Sequence, residues 1–227
     1  MSIDRASDAG FSFRDMLDGS VHLLRPRHLV IAGFTGRERS SVESHLEELR
    51  ALGVEVPEEV PAFFDLSPDL LTTADQVVVA DTFTSGEVEP VVAKVDGKWF
   101  LCVGSDHTDR ALEAKSIQLS KEACSKVISR DCIQVDALAD WDAIEIAGWA
   151  DGELYQSGTL AEMMPLAQLM EAAEAARGPL GDGDVLFLGT LPVLGGGLRA
   201  AGRFEGELRI PGARHSLRFS YTIEVRA

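Results

Sequence analysis

Glu87 and Glu89 stand two residues apart in TSGEVEPVVA, a segment preceded by QVVVADTF and followed by VVAKVDGKWFLCVG. That context reads as strand, and in a strand residues i and i+2 point to the same face. Two carboxylates so placed repel one another. Either the face is plain solvent, or something positive sits between them. Just downstream, in VGSDHTDRALE, an apolar strand ends at Gly104, and Asp106, His107, Asp109 and Arg110 follow at once. Strand ends hold polar side chains rigidly while letting them reach a cleft. Three acids converging from two adjacent strands would make an oxygen-rich site for a hard divalent cation, Mg2+ or Mn2+, with water or substrate oxygens completing the octahedron.

Two further groups fit such a site. Lys121, in QLSKEACSK, would polarise a carbonyl or steady an enolate beside a cation; taken alone it reads as a solvated surface lysine. His45 and Glu48 lie three apart in a helical segment and so share one side of it. Counted at about 100° per residue, His45 falls inside the arc of Val42, Leu46, Leu49 and Leu52, with Glu48 at its edge. A histidine beside a carboxylate that orients it suits a general base activating water. The alternative is a core or capping histidine with an incidental acid. His107 could touch the metal or substrate, or hydrogen-bond locally.

The elements that would position these residues follow from local pattern. RHLVIAGFTG reads as a buried strand ending in glycine. SSVESHLEELRALGV reads as a helix, with a Ser40/Glu43 capping box at its start and Gly53 at its end. From Gln76 the period moves toward two, and short strands are expected to about Ile146. Asp151-Gly152 marks a hairpin turn. PLAQLMEAAEAAR reads as a second helix, with Pro165 in its first turn and Gly178 just past its end. DVLFLGTL, GRFEGELRI and HSLRFSYTIEV are the closing strands. Strands outnumber helices without regular alternation, which points to a β-rich α+β fold and away from a doubly wound sheet.

Composition narrows the function. A formal net charge of −16, from 37 acids and 21 bases, opposes a nucleic-acid or anionic-lipid binder. No apolar run approaches the roughly 18 residues of a membrane span, and MSIDRASDAGFSF lacks a signal-peptide pattern, so a cytoplasmic protein is expected. Cys102, Cys124 and Cys132 are odd in number and lack CxxC spacing, which opposes a zinc site or disulfide framework. They read as reduced thiols, with Cys102 buried in its strand. GGGLRAAG does not open a helix after a first strand, so it reads as a turn and not as a phosphate loop. Ser105, His107 and Asp109 invite comparison with a hydrolase triad, but no GxSxG elbow accompanies them.

The order of several segments adds a resemblance. HLEELRALGVEVPEEVPAFF, SGEVEPVV, GSDHTDR, SKEAC, GELYQSGTL and LGDGDVLFLGTLPVLGGG follow one another as the landmarks of the fumarylacetoacetate hydrolase superfamily do, from about residue 30 to the C-terminus. The chain resembles that family, and within it a branch of small bacterial members. The resemblance implies a mixed β-roll with a small N-terminal lobe, here residues 1–75 with a lid helix and 76–227 with the metal-binding domain, commonly as a homodimer. It matches Glu87, Glu89 and Asp106 to the metal ligands, Lys121 to the active-site lysine, and His45 with Glu48 to the water-activating pair. It places Gln156, Gly189 and Thr190 at the pocket for the oxo-acid end of the substrate. Three departures stand out. Only sixteen positions separate Glu89 from Asp106, which leaves Asp109 or Glu113 as alternative third ligands. The family's GTP is GTL here, with Pro192 one place later. Asp65 lies where relatives often carry a basic residue.

The expected activity is metal-dependent hydrolysis of a carbon–carbon bond in a small 2-oxo or β-diketo acid, such as an acylpyruvate. The alternatives are a hydratase, tautomerase or decarboxylase on a related oxo-acid, or a non-catalytic protein that binds a small acid.

Overall fold

The computed structural model describes residues 10–51, 53–195 and 197–226. Among these residues, seventeen strands and four α-helices make a β-rich α+β fold with a curled mixed sheet. The first nine strands are β1 (Phe11–Asp15), β2 (Val21–Leu24), β3 (His28–Gly33), β4 (Ala62–Leu66), β5 (Leu71–Thr72), β6 (Gln76–Val79), β7 (Thr84–Ser85), β8 (Val88–Val95) and β9 (Lys98–Ser105). The remainder are β10 (Thr108–Asp109), β11 (Lys126–Ile128), β12 (Asp131–Gln134), β13 (Glu145–Ala150), β14 (Glu153–Thr159), β15 (Asp184–Phe187), β16 (Arg203–Arg209) and β17 (Leu217–Val225). The helices are α1 (Arg39–Ala51), α2 (Arg110–Glu113), α3 (Ile117–Glu122) and α4 (Leu166–Arg177).

The large sheet runs β2-β1-β12-β9-β8-β15-β3-β4, with β11 joining β9 to β5. A second sheet runs β14-β13-β16-β17-β6. Strands from the first 75 residues pair directly with later ones: β1 runs parallel to β12, and β3 parallel to β15. The central strands β8 and β9 are covered on both faces, so alternate residues enter two cores. Val88, Val92, Leu101 and Val103 pack with Ile146, Phe204 and Leu208 of the second sheet. Val91, Ala93, Phe100 and Cys102 pack instead with Phe13, Leu29, Ile31 and Phe187. This is why VEPVVAKV reads as a nearly continuous apolar run and not as a strict alternation.

Several local expectations hold. The α4 helix starts after Pro165 and ends at Gly178, whose φ is 89°. Asp151 and Gly152 turn between β13 and β14 with φ of 52° and 80°. All three cysteines are buried and unpaired. Among the described residues, no helix is long and apolar enough to cross a membrane.

Others are corrected. The α1 helix begins at Arg39, so Ser40 lies inside it and cannot form a capping box with Glu43. The Glu43 carboxylate instead accepts from Arg39 Nε one turn back, at 3.2 Å. Leu52, expected on the apolar face of this helix, lies outside the described residues. The run of strands expected up to Ile146 is interrupted by α2 and α3. At four and six residues they are too short to show helical periodicity, but each is marked by a cap. Asp109 accepts from the Leu112 amide at 3.0 Å, and Ser116 from the Leu119 amide at 3.3 Å.

Candidate functional site

The site begins with a two-residue turn. Asp96 and Gly97 have φ of 51° and 75°, the left-handed pair that a tight hairpin needs. That turn pairs Val95 with Lys98 and so sets the register of the whole β8–β9 ladder. Glu89 then falls opposite Gly104, and the Asp106 amide bonds the Glu87 carbonyl at 3.0 Å. The sixteen intervening positions are therefore accounted for by two strands and one turn. One carboxylate oxygen from each of Glu87, Glu89 and Asp106 can be chosen so that all three lie within 4.8 Å of one another. Three close oxygen donors, two of them buried, fit a hard divalent cation. Asp109 and Glu113 lie apart from this group. The first caps α2, and the second pairs with Arg110 at 2.8 Å.

The cluster is braced from several directions. Gly189 donates its amide to Glu89 Oε2 at 2.9 Å, at a φ of 95°. Any side chain there would meet Thr35 Oγ1 at 2.0 Å, so only glycine lets this backbone approach. Gln156 Oε1 accepts from the Val88 amide at 2.9 Å, and the Thr190 hydroxyl donates to the Val88 carbonyl at 2.8 Å. Gln156 Nε2 in turn donates to Thr190 Oγ1 and to the Leu191 carbonyl. Gln156 and Thr190 thus grip the residue between the two glutamates from both sides. That keeps both carboxylates aimed.

Cations answer the acids. Lys121, near the end of α3, pairs with Asp106 Oδ2, and its ammonium lies 5.6 Å from the Phe64 ring centre. Burial opposes its charge, but Asp106, Glu87 and Glu89 together hold its pKa above the ordinary lysine range. Lys126 stands 2.8 Å from Asp106 Oδ1, at ion-pair distance but off the line of a hydrogen bond, and donates to the His107 carbonyl at 2.5 Å. Burial opposes the Asp106 charge as well, and the two ammonium groups overcome it, so its carboxyl lies well below the usual range. Glu89 is pushed the other way, first by burial and then by its neighbour Asp106. Arg110, buried on α2, reaches Glu87 at 3.3 Å and donates to Ser85 Oγ at 2.6 Å. Lys126 gives no sign of its role in the sequence, because a single lysine between Ser125 and Val127 carries no signal of burial.

His107 hydrogen-bonds locally. Its ring nitrogens meet Tyr221 OH at 2.8 Å and Thr84 Oγ1 at 2.9 Å. Ser105 also bonds Tyr221 OH, and Asp109 is occupied as a cap, so no Ser-His-Asp relay forms. Burial first, then Lys126 and Arg110, lower the His107 pKa to about 3 and keep the ring neutral.

His45 and Glu48 are placed differently. On α1 only Val42 and Leu46 are buried, and His45 is exposed, contrary to its expected position within the apolar arc. Its neighbours are Glu48, at 3.8 Å, and the Phe34 ring, 6.0 Å between centroids. Among the described residues no hydrogen bond joins this pair to the acidic cluster. The base of α1 is nevertheless anchored. Arg37 bonds Asp142 through both terminal nitrogens at 2.7 Å and the Met163 carbonyl at 2.8 Å. Asp65 pairs with Arg177 at the end of α4, so an arginine from another element meets this acid.

The fold is shared with solved structures of the fumarylacetoacetate hydrolase family, among them one from Yersinia pestis at 18% identity, covering 94% of this chain and 100% of that one, with a TM-score of 0.63. A fumarylpyruvate hydrolase from Pseudomonas aeruginosa, solved with Mn2+ and pyruvate, is 18% identical over 99% of this chain and 100% of that one, with a TM-score of 0.63. A maleylpyruvate hydrolase from Sphingobium sp. SYK-6, solved with manganese(II) and pyruvate, is 14% identical over 92% of this chain and 75% of that one, with a TM-score of 0.60. At these identities the common property is the fold. No curated protein matches the sequence. A family model described as "Protein of unknown function (DUF2848)" matches residues 32–221, and the chain belongs to that family.

Proposed function

We propose that this chain is a divalent-cation-dependent hydrolase that cleaves a carbon–carbon bond in a small acylpyruvate-like 2-oxo acid. One observation carries the reading. Glu87, Glu89 and Asp106 cluster at the end of a hairpin with Lys121 against them, in a fold also adopted by hydrolases solved with Mn2+ and pyruvate. Glu87, Glu89 and Asp106 would hold Mg2+ or Mn2+, which supplies Lewis-acid stabilisation of enolate charge. Lys121 adds a second positive charge beside the reacting oxo group. Gln156, Gly189 and Thr190 keep the segment facing the oxo-acid end in place. His45, oriented by Glu48, takes a proton from the water whose oxygen bonds to the acyl carbonyl carbon; the carbon–carbon bond then breaks, and the departing oxo-acid carbon takes that proton back. The pair stands exposed on α1, so this role requires the helix to carry it to bound substrate.

The test is an ultraviolet assay of acylpyruvates and oxaloacetate with Mg2+ or Mn2+, on the native chain and on His45→Ala. Hydrolysis that disappears in the variant while metal binding persists is the expected result. Unchanged turnover would remove His45 from the mechanism. Binding of these acids with no consumption of any would favour a binding protein.

A second reading keeps the metal and Lys121 but dispenses with water attack. It is favoured by the exposure of His45 and Glu48 and by a 2-keto-3-deoxyarabinonate dehydratase that shares the fold, 18% identical over 93% of this chain and 79% of that one, with a TM-score of 0.61. Normal turnover in His45→Ala with loss in Lys121→Met would support it.

A further inference from the structure

We propose that Lys126 is a resident counter-cation of the metal centre, one that loosens the grip on the divalent ion and makes tight metal binding depend on an anionic ligand. The inference rests on the metal-dependent reading above and concerns how that site is tuned. Asp106 has an ammonium at each oxygen, Lys121 at Oδ2 and Lys126 at Oδ1. The two lysines differ in setting. Lys121 is buried against Phe64 but keeps 7% exposure. Lys126 is fully buried in β11, where its amine donates to the His107 carbonyl while facing the Asp106 carboxylate. Burial opposes the charge of so enclosed a lysine, and the Asp106 carboxylate 2.8 Å away favours it. The ammonium is held against that carboxylate.

Two consequences follow from electrostatics. First, the carboxylates are held together before any metal arrives, because Lys121, Lys126 and Arg110 already offset their mutual repulsion. Second, a divalent ion entering beside Asp106 meets an ammonium one carboxylate away, in surroundings of low dielectric where like charges repel strongly. Much of the attraction must then come from Glu87 and Glu89. An oxo-acid chelating the ion through its carboxylate and oxo group brings negative charge that offsets Lys126. Metal and anion should therefore bind each other's complexes better than either binds alone. Lys126 acts through Asp106 and is a positioning residue.

The experiment is calorimetric titration of the metal-free full chain with Mn2+, with and without oxalate, checked by the loss of the free Mn2+ electron-paramagnetic signal. In the native chain oxalate should raise Mn2+ affinity at least tenfold. Lys126→Met should bind Mn2+ alone at least tenfold more tightly than the native chain, with a correspondingly smaller gain from oxalate. Lys126→Arg, which keeps the charge, should resemble the native chain. A rise in affinity is not an outcome that simple loss of structure produces. Should the methionine variant fail to fold, Lys126→Gln keeps a donor for the His107 carbonyl and gives the same comparison. Unchanged or weaker Mn2+ binding in a folded neutral variant overturns the role of Lys126 and leaves the hydrolase reading standing. No Mn2+ binding by the native chain, even with oxalate, overturns both.

Discussion

At the end of the β8–β9 hairpin Glu89 and Asp106 are 2% and 0% exposed, whereas on α1 the His45 and Glu48 side chains are 59% and 72% exposed. The hairpin places its acids by register, and every brace around them is a short-range bond to backbone or to a buried cation. The α1 helix is tethered at its base by Arg37 and buries only Val42 and Leu46. The proposed metal binding, which needs fixed geometry, thus falls in the rigid element, and the proposed proton transfer in the loosely packed one. The difference implies that the two regions should fail independently.

The largest effect is expected at the hairpin end. Glu89→Gln removes one charge from the cluster, and Mn2+ affinity measured by calorimetry should fall by about two orders of magnitude, with turnover falling alongside. A variant that binds Mn2+ normally would break the assignment of Glu89. Next in size is a pH effect. His107 is held neutral by burial, so its folded pKa of about 3 lies below its unfolded value. A base shifted this way contributes stability that is fully present above about pH 6.5 and is lost as pH falls toward about 3. Cooling of the melting temperature between pH 7 and pH 4.5 should reflect a loss on the order of 2 kcal/mol from this group, and it should be smaller in His107→Gln. An identical pH response in the variant would show that other groups govern acid stability.

Paired turn substitutions sharpen the contrast further. Gly97→Ala and Gly152→Ala each force alanine into a φ near +80°, at 75° and 80° in the native chain. Each should cost about 1 kcal/mol in denaturant unfolding. Only Gly97→Ala should also weaken Mn2+ binding, because only that turn sets the register joining Glu87 to Asp106. Equal metal affinity in the two would mean that Gln156, Thr190 and Gly189 suffice to align the acids. The smallest effect belongs to α1. His45→Ala should change stability by less than about 0.5 kcal/mol and leave Mn2+ affinity unaltered, as expected of an exposed side chain. A large change in either would place His45 against the cluster.

Where a residue's setting is local, the amino-acid order was enough to find it. Asp151-Gly152, Pro165 and Gly178 carry their conformations in their own backbones, so a turn and both ends of α4 could be read directly. Glu87-x-Glu89 stood out because strand period puts both on one face, and Asp106 because it follows a strand end; the Asp96-Gly97 turn that brings them together emerged only in the structure. Tertiary structure decided what depends on burial and on partners remote in sequence. Lys126 looks like any lysine until β11 is laid beside β9, and Asp65 meets Arg177 only because the fold brings the end of α4 to it. His45 shows the same lesson in reverse: helical spacing put it within an apolar arc, but a helix buries only the residues for which the rest of the chain provides a surface.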